Sequence, residues 1–254
     1  MAGKVRIKRG DVWAERLKEH LMASPDGAAE WMEEHAQILN STSDSMSALW
    51  RVDDELAYLK LYRFRSLRQK LLSRVGRAQS LRTYKRAREL AGKNIPVPQP
   101  LACLMVKQGA LLAMEGMSGG GSLVELWHYH SSEGDFDAVM HAAGEALGNL
   151  HAAGYCYGDC GWAKLYWNGE RVFLTDLDHT RKCAVGNIQQ SRDLARFTAN
   201  AEELGIGLKL YEQFLERYLQ AVPGTRRELV ERMIRPLYRI RGQHLSGGYG
   251  QRLV

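Results

Sequence analysis

The sequence predicts an α+β chain in two lobes, the first rich in strands and the second helical. Three observations carry that expectation. Between residues 37 and 115, short apolar runs alternate with turn residues, the pattern of strands. Residues 116–121 read Gly116-Met117-Ser118-Gly119-Gly120-Gly121, a glycine-rich break expected to serve as a hinge. From 122 onward apolar residues recur at helical spacing, interrupted by one small hairpin. The expected organisation is an N-terminal helical extension at 1–36, a strand-rich lobe at 37–115, the hinge, and a helical lobe at 122–254.

Each element has its own signal. Residues 11–22 carry Val12, Trp13, Leu17 and Leu21 with Lys and Glu between them, an amphipathic helix. Ser24-Pro25-Asp26-Gly27 breaks it, and 28–35 forms a short second helix. Strands follow at 37–39, 48–52 and 56–62, with a polar turn at 40–45 and a tight link at 53–55. A basic helical region spans 67–74 and 79–91. Asn94-Ile95-Pro96-Val97-Pro98-Gln99-Pro100 is a stiff extended connector, because each proline disfavours helix in the residue before it. Residues 101–106 and 110–115 read as a hairpin. Helices are expected at 122–128, 136–153, 191–201, 208–221 and 226–238, with Ser191 and Asp193 opening the third of them. Residues 246–250 read as a loose tail.

Composition sets outer bounds. A chain of 254 residues suits one large domain or two small lobes sharing a cleft, and 45% apolar residues can build a full core. No apolar run of about 18 residues occurs, so no membrane-spanning helix is expected. The basic N-terminus lacks the apolar stretch of a secretory signal, which places the expected site of action in the cytoplasm. Cys103, Cys156, Cys160 and Cys183 show no disulfide-framework spacing and read as reduced thiols.

The net charge of +6 is unevenly spread. Residues 60–93 hold twelve Lys or Arg against one acid, Glu89, and residues 225–254 hold seven Arg against two Glu. Such blocks favour an anionic partner, either a phosphorylated glycolipid, an anionic membrane surface or nucleic acid; the plain alternative is a solvated helix face. Interleaved aromatics are confined to Tyr62, Phe64 and Tyr84, so nucleic acid is not expected.

The chemistry concentrates between 151 and 178. Tyr157-Gly158-Asp159 follows an apolar helix and a short strand. Seventeen residues after Asp159, Asp176 ends the apolar strand Val172-Phe173-Leu174-Thr175. Between them lies a short hairpin turning at Asn168-Gly169. A protein-kinase-like fold places its two working carboxylates in this way, one facing the hydroxyl to be phosphorylated and one holding magnesium on the ATP phosphates. Asp159 is the candidate catalytic base, and Asp176 the candidate metal ligand. Asp178 would share the side of Asp176 if the strand continued, as a second ligand or a partner of Arg181. Lys60, within Leu56-Ala57-Tyr58-Leu59-Lys60, is the candidate for the α and β phosphates; an edge-strand lysine is the alternative. Ser41, Ser43 and Ser45 lie in the segment that would cover the phosphates, through hydroxyls rather than glycines. Glu115, just before the glycine run, marks where adenine would lie. His151, Cys156 and Cys160 match no common zinc spacing, and His151 reads as a helix-end residue.

These residues together resemble the bacterial lipopolysaccharide core kinases, the Kdo/heptose kinase group with protein-kinase-like folds. The likeness runs from about 38 to 221. It rests on the serine-rich turn leading to Leu49-Trp50-Arg51-Val52, on Tyr58-Leu59-Lys60, and on Arg77-Ala78 leading to Asn94 through Ala102. It continues in Leu150-His151-Ala152-Ala153-Gly154, Tyr157-Gly158-Asp159 and Thr175-Asp176-Leu177-Asp178. The resemblance implies a two-lobed kinase-like fold and ATP- and Mg2+-dependent phosphorylation of an inner-core sugar. It also implies a lipopolysaccharide glycolipid as substrate and work at the cytoplasmic face of the inner membrane, in peripheral contact with an anionic surface. Three positions depart from the kinase pattern. Lys164 stands where a magnesium-binding Asn is expected, Thr83 stands near the place of a partnering Glu, and Tyr157 replaces a His. These departures keep two further readings open: a pseudokinase-like nucleotide- or partner-binding protein, and a kinase for another substrate.

Overall fold

The computed structural model describes residues 5–24, 27–66, 78–129, 136–242 and 253, with side chains left out of the description at 237–242. The helix expected at 67–74, Arg77, part of the break at 24–27 and the tail at 246–250 lie outside the described residues. The chain divides into two compact units, Met1–Ala91 with Pro98–Ser118, and Gly92–Val97 with Gly119–Val254.

The first unit is built on a six-stranded antiparallel sheet ordered β1-β5-β6-β4-β3-β2. Its strands are β1 (Arg6–Arg9), β2 (Gln37–Ser41), β3 (Ser45–Val52), β4 (Glu55–Arg63), β5 (Pro100–Val106) and β6 (Gly109–Glu115). In β3 and β4 every second residue is buried, namely Met46, Ala48 and Trp50, then Ala57, Leu59 and Leu61. Helices Val12–Ala23 and Ala28–His35 supply Leu17, Leu21, Trp31 and Met32 to that same core. The Trp31 and Trp50 rings meet edge-on with centroids 5.1 Å apart. The segment expected as purely helical also holds β1, which hydrogen-bonds to β5. Arg6-Ile7-Lys8-Arg9 carries one apolar residue, a composition that an edge strand tolerates and a periodicity search passes over. Helix Gln79–Ala91 packs against β5 and β6.

The second unit carries helices Leu123–Tyr129, Asp137–Ala152, Ile188–Glu203, Leu208–Ala221 and Arg227–Gly242. Helices Asp137–Ala152 and Leu208–Ala221 pack closely, because Gly144 lets the Phe214 carbonyl come within 2.3 Å of where a Cβ would stand. Short strands complete the unit: β7 (Gly121–Ser122), β8 (Tyr155–Cys156), β9 (Leu165–Trp167), β10 (Val172–Leu174) and β11 (Arg181–Lys182). They form a three-stranded sheet, β10-β9-β7, and a two-stranded one, β11-β8. The glycine run thus ends in a strand paired with β9, Gly121 lying opposite Trp167. The hairpin between β9 and β10 turns over 168–171, and the Asn168 side chain accepts the backbone N–H groups of Glu170 and Arg171.

The third long helix starts earlier than Ser191. Asn187 is its cap, accepting the Gln189 N–H at 2.9 Å, and Ser191 and Asp193 are buried in its second turn.

Candidate active site

Strand β8 ends at Cys156, and the chain then turns sharply through Gly158 at φ 84°. A Cβ there would stand 2.6 Å from the His179 carbonyl oxygen. Glycine is therefore required one residue before Asp159. Helix Ile188–Glu203 shapes this loop with one face. Asp193 accepts the N–H groups of Tyr157 at 2.6 Å and Gly158 at 2.8 Å. Asn200 accepts the Trp162 N–H at 3.3 Å, and the Phe197 carbonyl accepts the Trp162 indole at 3.1 Å. Residues 193, 197 and 200 recur at helical spacing, so a single face aligns the loop from 157 to 162. His151 is buried at the end of its helix, between the Tyr218 hydroxyl at 2.9 Å and Asp193 at 3.3 Å. It is part of this support as well as a helix end.

Asp176 follows β10 in the left-handed region at φ 47°, and a 3-10 turn, Leu177–His179, begins directly after it. The strand does not continue, so Asp178 does not take the strand position two residues along from Asp176. Tyr157 ties the two aspartate loops together. Its hydroxyl donates to the Lys164 carbonyl at 3.1 Å and to the Thr175 carbonyl. Burial pushes that phenol well above its ordinary range, with the nearby acidic groups adding to it, so it remains a donor.

Asp159 and Asp176 belong to one ion-pair network. The Lys164 ammonium donates to Asp159 Oδ2 and lies 3.2 Å from Asp176 Oδ2. Arg196, from helix Ile188–Glu203, pairs with the other oxygen of Asp159. In the sequence Asp193 reads only as an acid near a helix start, and Arg196 carries no role at all. The available signal was a polar set, Asp193, Arg196 and Asn200, spaced by three and four residues on a helix that also carries Leu194 and Phe197.

The other candidate residues lie in the first unit. Lys60 sits in mid-β4, opposite Ser47 on β3 and Leu112 on β6, on the face away from Leu59 and Leu61. Its ammonium lies 5.4 Å from the Tyr62 ring centroid. Ser41 ends β2 and Ser45 opens β3, so the turn shrinks to 42–44 with Ser43 inside it. Thr42 closes that turn, its hydroxyl accepting the N–H groups of Asp44 at 3.3 Å and Ser45 at 3.1 Å. Glu115 is the last residue of β6, and its carboxylate accepts the Gln99 N–H at 3.1 Å. Thr83 is buried within its helix, and Glu89 pairs with Arg86 at 3.2 Å.

For a divalent cation, Asp176 offers one carboxylate, and no cluster of three or more His, Cys, Asp or Glu side chains gathers among the described residues. That donor set suits magnesium, which is bound through one or two carboxylates with phosphates and water completing its shell. No described helix is long and apolar enough to cross a membrane.

The sheet-bearing unit, the helical unit and the two aspartate loops define a protein-kinase-like α+β fold. A solved structure of WaaP in complex with acyl carrier protein shares it, with a TM-score of 0.59 at 16% identity, covering 93% of this chain and 99% of that one. The profile of the lipopolysaccharide kinase (Kdo/WaaP) family matches residues 29–218, and the chain belongs to that family. Over 108 residues it is 30% identical to a 3-deoxy-D-manno-octulosonic acid kinase of Xanthomonas axonopodis pv. citri (strain 306). It is 29% identical over 108 residues to the enzyme of the same name from Xanthomonas euvesicatoria pv. vesicatoria (strain 85-10). Each match takes in 41% of this chain and spans 42% of the relative's length.

Proposed function

We propose that this protein transfers the terminal phosphoryl group of ATP to a sugar hydroxyl of the lipopolysaccharide inner core, on Kdo or heptose. The observation that carries the reading is the shared network of Asp159, Lys164 and Asp176 in a chain of the lipopolysaccharide kinase family. Asp159 accepts the proton of the attacking hydroxyl, and Asp176 holds magnesium. Asp176 would hold the metal, which would supply positive charge against the transferring phosphoryl group. Lys60 engages the α and β phosphates, the segment of Ser41, Ser43 and Ser45 covers them, and Glu115 marks the adenine position. The glycine run at 116–121 serves as the hinge. The Tyr157 bridge supports the reading, since it ties together the loops that carry the base and the metal ligand. The similarity to two 3-deoxy-D-manno-octulosonic acid kinases makes Kdo the first acceptor to try. The basic blocks at 60–93 and 225–254 support an anionic glycolipid and peripheral contact with the cytoplasmic face of the membrane.

One observation favours a second reading. Asp159 meets two cations, Lys164 and Arg196, an arrangement that would also suit a kinase-like protein that binds nucleotide without turnover. The deciding experiment is phosphate transfer from labelled ATP to core lipopolysaccharide lacking phosphate, beside Asp159→Ala. Label on the glycolipid with the unaltered protein alone supports the enzyme. ATP binding without transfer to Kdo or heptose acceptors supports the second reading.

A further inference from the structure

The place of Lys164 goes beyond the roles assigned above. Its backbone is fastened beside Asp176 by three hydrogen bonds. Its carbonyl accepts the Thr175 N–H at 3.0 Å, the Thr175 hydroxyl at 2.9 Å and the Tyr157 hydroxyl at 3.1 Å. Its side chain is about a quarter exposed and reaches both aspartates, Asp159 by a hydrogen bond and Asp176 at 3.2 Å. It therefore differs from a surface lysine that samples solvent, because main chain and side chain are both held at the site.

In the kinase pattern, the residue five places after the base is an asparagine that binds a second magnesium ion. A protonated lysine has three donors and no lone pair, so it cannot ligate a metal. Its charge also repels a divalent cation placed within a few ångströms. The charge count agrees. Asp159 and Asp176 are matched by Lys164 and Arg196, so beside the one divalent ion that the nucleotide phosphates bring, no carboxylate charge among the four is left over to attract a second. With asparagine at 164 the same group would carry one uncompensated negative charge.

We propose that Lys164 is the resident cation of this site and takes the place of a second magnesium ion. Nucleotide then binds with one divalent ion, held by Asp176, and the Lys164 ammonium donates to oxygens of the terminal phosphate. Arg196 completes the device by keeping a cation on Asp159 when Lys164 turns to the phosphate. The inference rests on the phosphotransferase reading and specifies the metal requirement of that same site.

The test counts metal ions directly. Mn2+ bound per chain is measured by electron paramagnetic resonance with a non-hydrolysable ATP analogue, for the unaltered protein, Lys164→Asn and Lys164→Met. One Mn2+ is expected for the unaltered protein and two for Lys164→Asn. Lys164→Met, which removes the charge and adds no ligand, is expected to keep one Mn2+. It should bind the triphosphate analogue about tenfold more weakly, with ADP affinity little changed, as the loss of one charged hydrogen bond implies. Two Mn2+ in the unaltered protein, or one in a folded Lys164→Asn, overturns the inference. An unaltered Lys164→Met preference for triphosphate over diphosphate does so too, and needs no folded asparagine variant. A protein that binds neither ATP analogue nor ADP overturns the phosphotransferase reading instead, and this inference with it.

Discussion

Gly158 donates its backbone N–H to Asp193 Oδ1 at 2.8 Å, and this bond sets the backbone one residue before Asp159. The same buried carboxylate also accepts the Tyr157 N–H and meets His151. Asp193→Ala leaves two backbone donors and an imidazole without their partner in a dry environment. The expected cost is about 3–5 kcal/mol, as for breaking a buried charged network. Urea denaturation checks this, and Asp193→Asn, which keeps one acceptor oxygen, should lose less.

Asp159 gives the opposite balance of stability and activity. Its side chain is 30% exposed, and those of Lys164 and Arg196 are 28% and 34% exposed, so solvent screens these pairs. Asp159→Asn is expected to change stability by no more than about 1 kcal/mol. Loss of the base should lower kcat by about 10²–10⁴-fold. Steady-state phosphate transfer together with a thermal melt checks both halves. A variant that keeps full kcat would remove Asp159 from the role of base.

These two residues differ in how far the sequence betrays them. Asp159 stands out because a Tyr-Gly step follows an apolar helix, and a second aspartate ends an apolar strand. Alternation in 46–50 and 57–61 marks β3 and β4 equally clearly, since one face of each is buried. Asp193, two residues after Ser191, reads in the sequence as a helix-opening acid. The helix starts three residues earlier, so both side chains are buried, and Asp193 meets His151, Tyr157 and Gly158, all far off in the sequence. Arg196 carries no local signal either, since Asp159, with which it pairs, is 37 residues away. Asp178 illustrates a further limit. Its expected side followed from strand alternation, which ends where the backbone turns left-handed at Asp176.

Gly144 should tolerate no side chain. An added Cβ would lie 2.3 Å from the Phe214 carbonyl oxygen and 3.1 Å from the Arg217 Cβ, so two helices would have to separate. Gly144→Ala gains about 0.5–1 kcal/mol of helix propensity, and overpacking costs about 1–3 kcal/mol. The net expectation is destabilisation, read as a lower urea midpoint. Gly186→Ala, where nothing lies within 4 Å but φ is +74°, separates backbone strain from packing.

Stability should fall at alkaline pH through buried tyrosines. Burial raises the phenols of Tyr157, Tyr211 and Tyr218 above the ordinary value of 10.0. The unfolded chain releases these protons near pH 10, whereas the folded chain retains them. The folded state therefore binds more protons above that pH, and unfolding becomes easier as pH rises. Their contribution is fully present below pH 10. Above it, stability is lost at up to about 1.4 kcal/mol per pH unit for each tyrosine that ionises only on unfolding. Urea midpoints between pH 9 and 11 check the sign. The Cys183 thiol, pushed up to about 11 mainly by burial, adds a shallower loss that begins near its ordinary value of 9.0. Burial raises the Cys103 and Cys156 thiols from the same value, so Cys183→Ser should lessen that early loss and leave the steeper fall above pH 10 in place.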